Sequence, residues 1–215
     1  PTIGLLVLLS VAICISSVFT EEHTRKTDQL ILCSTHGKNA AYWVKILTGI
    51  SFAVGISLVI SIVAFALTFI FYGYEGFDAA FQLVLPSCSY PITAGEATLI
   101  MYGILIITAV LTSISVMILS ERLRSNIATL AIASGFLILG MVFNIPSQYR
   151  IFSQIWNWLP NCILYTRSIF DVRLLSAFGR YFTSWQAVPI IYLIVCVVIV
   201  IIGKPIYKHF EVSGR

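Results

Sequence analysis

The chain has 215 residues, 59% of them hydrophobic and only 10% charged, with a formal net charge of +4. Soluble domains carry about 25% charged residues. A mean hydropathy of +0.96 therefore excludes a water-soluble globule and points to the bilayer as solvent.

The first apolar run, 3–19, is short for a crossing, which takes about 20 residues. No basic stretch precedes residue 3 and no small-residue cleavage pattern follows before Glu21, so it does not read as a signal peptide. Further apolar runs at 46–72, 98–120, 126–145 and 187–203 complete five predicted spans. The fold class is all-α: a polytopic membrane protein, with residues 1–215 forming one transmembrane domain.

Between the first two spans lies a polar interval, Glu21 to Lys45, far longer than a turn needs. Residues 20–35 hold no Gly or Pro, and Thr20 followed by Glu21 and Glu22 suits a helix start. Gly37 suits its end, leaving Gly37 to Lys45 as a hinge into the next span. Charges crowd the first half (Glu21, Glu22, Arg25, Lys26, Asp28), and Leu30, Ile31 and Leu32 follow. The expectation is an amphipathic helix over 20–36, lying on the membrane surface.

Small residues four apart (Ser51 and Gly55, Ser57 and Ser61, Ala131 and Gly135) predict close helix packing. No Asp, Glu, Lys, Arg or His lies in the middle of any predicted span. Ion-coupled carriers and voltage sensors usually need such groups. No HExxH, GxSxG or paired aspartates occur, so no catalytic residue and no enzyme activity are assigned to the chain. In the 73–97 loop Glu75, Asp78 and Glu96 are too dispersed for a metal site, and none is expected. The cysteines Cys14, Cys33, Cys88, Cys162 and Cys196 read as apolar packing residues, with a Cys88–Cys162 bridge left open.

The segment 146–186 begins with interfacial aromatics, Trp156 and Trp158 among them. Pro160 can separate two short helices. Apolar residues from Ile163 to Phe182, with Arg167, Asp171, Arg173 and Arg180 between them, predict a second, amphipathic helix ended by Gly179. The pair forms a re-entrant helical hairpin in the outer leaflet. Lys and Arg place 20–45, 121–125 and 204–215 in the cytoplasm. The discordant count is 146–186, which carries Arg150, Arg167, Arg173 and Arg180 on the outer side. Five spans put Pro1 outside, so a protein starting in the cytoplasm has one more span upstream.

The order span, acidic start, Lys26-Thr27-Asp28-Gln29-Leu30-Ile31-Leu32-Cys33-Ser34, then a basic link into a long span resembles the membrane permease of type-2 ABC exporters. In that family the stretch forms a coupling helix against the ATPase. Glu21 and Glu22 match the acidic start, Thr27 the threonine, Leu30 to Leu32 the aliphatics and Ser34 the hydroxyl. Lys26 stands where glycine is usual, and His36 near the expected proline. The resemblance implies six spans, of which this chain carries the second to sixth, with Arg25, Lys26, Asp28 and Leu32 also on the ATPase-facing helix. It implies a cytoplasmic ABC ATPase as partner, a second permease copy, lipid around both, and no nucleic acid. ATP and magnesium would sit on the ATPase, because no GxxxxGK[ST] loop is present and this chain binds no cofactor. The location implied is a bacterial plasma membrane, and the cargo an amphipathic compound such as a peptide or antibiotic. A membrane channel, or an assembly or sensory subunit without ATP coupling, is the alternative.

Overall fold

A computed structural model describes residues 2–18, 20, 37–73, 75–86, 88, 90–143, 145–146, 148–171, 174–177 and 180–208. The helices are α1 (Thr2–Ile15), α2 (Gly37–Tyr72), α3 (Ala94–Leu123), α4 (Asn126–Val142), α5 (Arg150–Asn157), α6 (Thr166–Ile169) and α7 (Ser184–Lys208). Two 3-10 turns, Phe81–Leu83 and Cys162–Leu164, and two strands, β1 (Leu175–Ala177) and β2 (Arg180–Phe182), complete the described elements.

Each predicted span coincides with a helix. Three of them, at Ala40–Tyr72, Ala94–Leu123 and Ser184–Tyr207, are long and apolar enough to cross a membrane. The helices Thr2–Ile15 and Asn126–Val142 are apolar but shorter. At 1.5 Å per residue they span roughly 21 and 26 Å, short of the roughly 30 Å of hydrocarbon. The outward side of α2 is apolar along its length, with Val44, Leu47, Val59, Ile62 and Ile70 all exposed. Such a surface suits lipid and not water. The chain is a helical membrane protein.

The start of α2 departs from expectation. Gly37, expected to end one helix, opens another, and the expected hinge 37–45 is helical and continuous with the span. Tyr42 and Ile46 explain the extension: both are buried, and the Tyr42 hydroxyl donates to the Val200 carbonyl of α7 at 2.7 Å. Packing of one face outweighs the polar residues around it. α3 also starts earlier than its apolar run. Thr93 and Glu96 form a capping box, Glu96 N donating to Thr93 Oγ1 at 3.3 Å and Thr93 N to Glu96 Oε2 at 3.1 Å. Glu96 is a cap residue, not a loop carboxylate.

α3 is the hub, packing against α1, α2, α4 and α7. Successive long helices run in opposite directions. At one end of the bundle the C-terminal turn of α3 meets the end of α1 through Ser120 and Ser16. At the same end the α2 N-terminal region meets the last turns of α7 through Tyr42 and Val200. α1 buries a helical stripe of Val7, Leu8, Val11, Ala12 and Ile15. The turn into α4 is tight: Arg124 takes a left-handed φ of 52° and Ser125 caps α4, accepting from Ala128 N.

Only part of the small-residue expectation survives. Ser57 and Ser61 are buried, but a Cβ on Gly55 or Gly135 would meet open space. The close approaches use other glycines. At Gly49 a Cβ would run into Met117 and Ser113, and at Gly203 into Ile118 and Tyr42.

The segment 146–186 folds as a helical pair only in its first half. After α5, Pro160 lies in the turn as expected, followed by the 3-10 turn and the short α6. The amphipathic helix over Ile163–Phe182 is not formed. Its second half is an antiparallel hairpin that pairs Leu175 with Phe182 and Ser176 with Tyr181. Tyr181 and Phe182 belong to the residue types that favour strands. Ile163, Leu164, Ile169 and Phe170 do not turn to lipid: all are buried in the bundle, Phe170 against the Phe81 ring at 4.8 Å between centroids. Gly179 and Arg173 lie outside the described residues.

Candidate functional site

The end of the bundle opposite Ser16 and Ser120 is closed by the chain from Asn157 to Asp171, which is tied to four neighbours. Asn161 Nδ2 donates to the Leu137 carbonyl at 2.7 Å and Cys162 Sγ to the Gly140 carbonyl at 3.0 Å, fixing it to α4. The Tyr192 hydroxyl of α7 donates to the Trp158 carbonyl. The Tyr90 hydroxyl donates to the Asp171 carbonyl at 3.3 Å. Leu164 packs directly over Gly4 of α1, where a Cβ would touch its side chain.

Against this plug lies a cavity of about 420 Å³. Gly140, Met141 and Phe143 from the end of α4 form one wall, Trp156 and Asn157 from α5 another, and Cys162, Tyr165, Arg167, Ser168 and Asp171 the third. The Trp156 ring is held in place, its Nε1 donating to the Phe143 carbonyl at 2.9 Å. Arg167 is exposed and Asp171 half-buried. Burial pushes the Cys162 thiol up to about 11. Burial also raises Tyr90, with Cys88 and Asp171 adding to the effect by opposing a phenolate charge. The arrangement offers a guanidinium, hydroxyl and amide groups beside an aromatic and thioether wall. It suits an amphipathic ligand and has no nucleophile activated for chemistry.

Of the five outer residues singled out from the sequence, Trp156, Arg167 and Asp171 come together in this cavity. Trp158 and Pro160 do not. Trp158 packs against the core and accepts from Tyr192, and Pro160 shapes the turn. Asn157, Tyr165, Ser168, Met141 and Phe143 join those three in the lining with no signal of their own in the sequence. They are ordinary residues until the plug folds back on α4.

The other predicted set, Glu21, Glu22, Arg25, Lys26, Thr27, Asp28, Leu30, Leu32, Ser34 and His36, lies outside the described residues. Its described flanks are informative. Thr20 bonds back to Ser16 at 3.2 Å, beside Ser120, and α2 begins at Gly37 at the same end of the bundle. Cys14, Cys88, Cys162 and Cys196 carry no disulfide, so Cys88 and Cys162 are not bridged. Among the described residues no group of His, Cys, Asp and Glu could hold a metal ion.

Comparison with protein families, with curated proteins and with solved structures finds no match. The resemblance to type-2 permeases therefore stands on Glu21, Glu22, Thr27, Leu30 to Leu32 and Ser34 and on the order of spans.

Proposed function

We propose that this chain is the membrane permease of a type-2 ABC exporter, lining a path with a second copy and driven by a cytoplasmic ATPase. The observation that supports it best is the way α3 is bonded to both helices that flank the polar interval. Ser120 Oγ donates to the Ser16 carbonyl of α1 at 2.7 Å. Ser113 Oγ donates to the Gly49 carbonyl of α2 at 3.0 Å. A displacement applied to residues 20–36 would reach α1 and α2 together and pass through those bonds to α3. α3 contacts α4 and α7, so the whole bundle would tilt as one body.

In this reading the end carrying Lys45, Arg122, Arg124 and Lys204 faces the cytoplasm, and the segment 146–186 faces outward. ATP and magnesium are held by the ATPase. The exporter takes its energy from ATP, because no ionisable residue in the middle of a span is at hand to couple an ion gradient. An apolar or amphipathic cargo, such as a peptide or an antibiotic, fits such spans.

The test is site-specific photocrosslinking from position 28 or 32 in intact cells, with the adduct identified by mass spectrometry. A phosphate-loop ATPase in the adduct is the expected result. Adducts to lipid alone, or to proteins without a phosphate loop, would sink the proposal.

A further inference from the structure

We infer that the cavity between α4, α5 and the 157–171 plug is a binding site for an amphipathic anion, a single acidic headgroup on an apolar or aromatic body. The inference does not depend on ATP coupling. Two independent observations carry it. The first is the cavity: at about 420 Å³ it is within the ordinary range for small-molecule sites. Met141, Phe143 and the fixed Trp156 ring give the lining an apolar part, and Arg167 is an exposed member of the same lining. Arg167 offers a planar fork of donors suited to a carboxylate, sulfonate or phosphate, with Ser168, Tyr165 and Asn157 lining the same space.

The second is the charge of the segment. Residues 146–186 carry Arg150, Arg167, Arg173 and Arg180 against the lone Asp171, with no Lys, Glu or His. The surplus is +3, from four arginines less one aspartate. Topology explains the cations at the other end of the bundle but not these. The surplus is a property of the sequence of this segment, of which Arg167 lines the cavity, and a net positive segment raises the local concentration of anions. Asp171 lines the cavity too and opposes an anion, but it is half-buried beside Tyr90, which leaves Arg167 as the charge at the surface. The anion could be the headgroup of a lipid entering sideways or a soluble molecule entering from water. The shared chemistry is the acid on an apolar body.

The experiment uses the full chain in phosphatidylcholine nanodiscs, titrated calorimetrically with naphthalenesulfonate and with naphthyltrimethylammonium, against empty discs. Saturable binding of the sulfonate and none of the cation is expected. Arg167→Gln should weaken the sulfonate about tenfold or more, the loss of a charge-assisted contact, and Arg167→Lys less. Asp171→Asn should tighten it. Thermal unfolding of each variant, unchanged from the parent, separates these effects from misfolding. Adding phosphatidylglycerol to the discs then assigns the source: competition marks a lipid headgroup, and its absence a soluble ligand. Sulfonate affinity unchanged in Arg167→Gln, or equal binding of the cation, would overturn the assignment.

Discussion

Ser120 of α3 donates its hydroxyl to the Ser16 carbonyl at the end of α1, 2.7 Å away and buried. One face of α3 thus holds α1 here and α2 at Gly49, through Ser113. The two serines are seven positions apart, about 10 Å along the helix. Interhelical bonds of this kind contribute about 0.6 kcal/mol on average inside membranes. Ser113→Ala and Ser120→Ala should each lower unfolding stability by about that amount, and together by the sum. Thermal unfolding in detergent of the two single variants and the double variant checks this.

Gly49 lets α2 approach α3, whereas Gly55, on the same helix, faces open space. Gly49→Leu should destabilise by about 1–3 kcal/mol through overpacking against Met117 and Ser113. Gly55→Leu should change stability by less than about 0.5 kcal/mol. The same unfolding assay compares them.

The capping box is an independent handle on α3. Thr93→Ala removes the acceptor for Glu96 N and should cost about 1 kcal/mol. Thr93→Ser, which keeps the oxygen, should recover most of it.

Burial raises the Cys162 thiol from 9.0 to about 11. The protonated thiol is the stable form in the fold, so its contribution is complete below pH 9.0 and is lost as pH rises through about 11. Cys162→Ser keeps a donor for the Gly140 carbonyl and removes the titration. Its stability should fall less than the parent's does, by the share that Cys162 contributes, as followed by unfolding between pH about 8 and 11. Alkylation of Cys162 should be slow at pH about 8, where its thiolate is scarce, and should speed up as the pH rises towards about 11.

What the sequence made legible follows the physics of each signal. The apolar runs were readable because the bilayer imposes length and continuity, and each became a helix. The early start of α2 was not, because Tyr42 earns its place through Val200, a residue 158 positions away. Thr93 and Glu96 have capping-box spacing in the sequence, but the neighbouring carboxylates Glu75 and Asp78 make Glu96 look like a third loop charge. Between Ile163 and Phe182 the apolar spacing fitted a helix, and pairing of Leu175 with Phe182 overrode it. At the cavity, Trp156, Arg167 and Asp171 stood out by residue type. Tyr165, Ser168 and Met141 became part of it only through the fold of the plug onto α4.

The central claim is that force from an ATPase enters through residues 20–36. The most direct measurement reconstitutes the chain in nanodiscs with the phosphate-loop ATPase that the crosslinks from positions 28 and 32 are expected to identify, and follows ATP hydrolysis. Asp28→Ala and Leu32→Ala should sharply reduce the hydrolysis that depends on the permease, with membrane insertion and thermal stability unchanged. Hydrolysis equal to the parent's in both variants, or no dependence on the permease at all, would contradict the account.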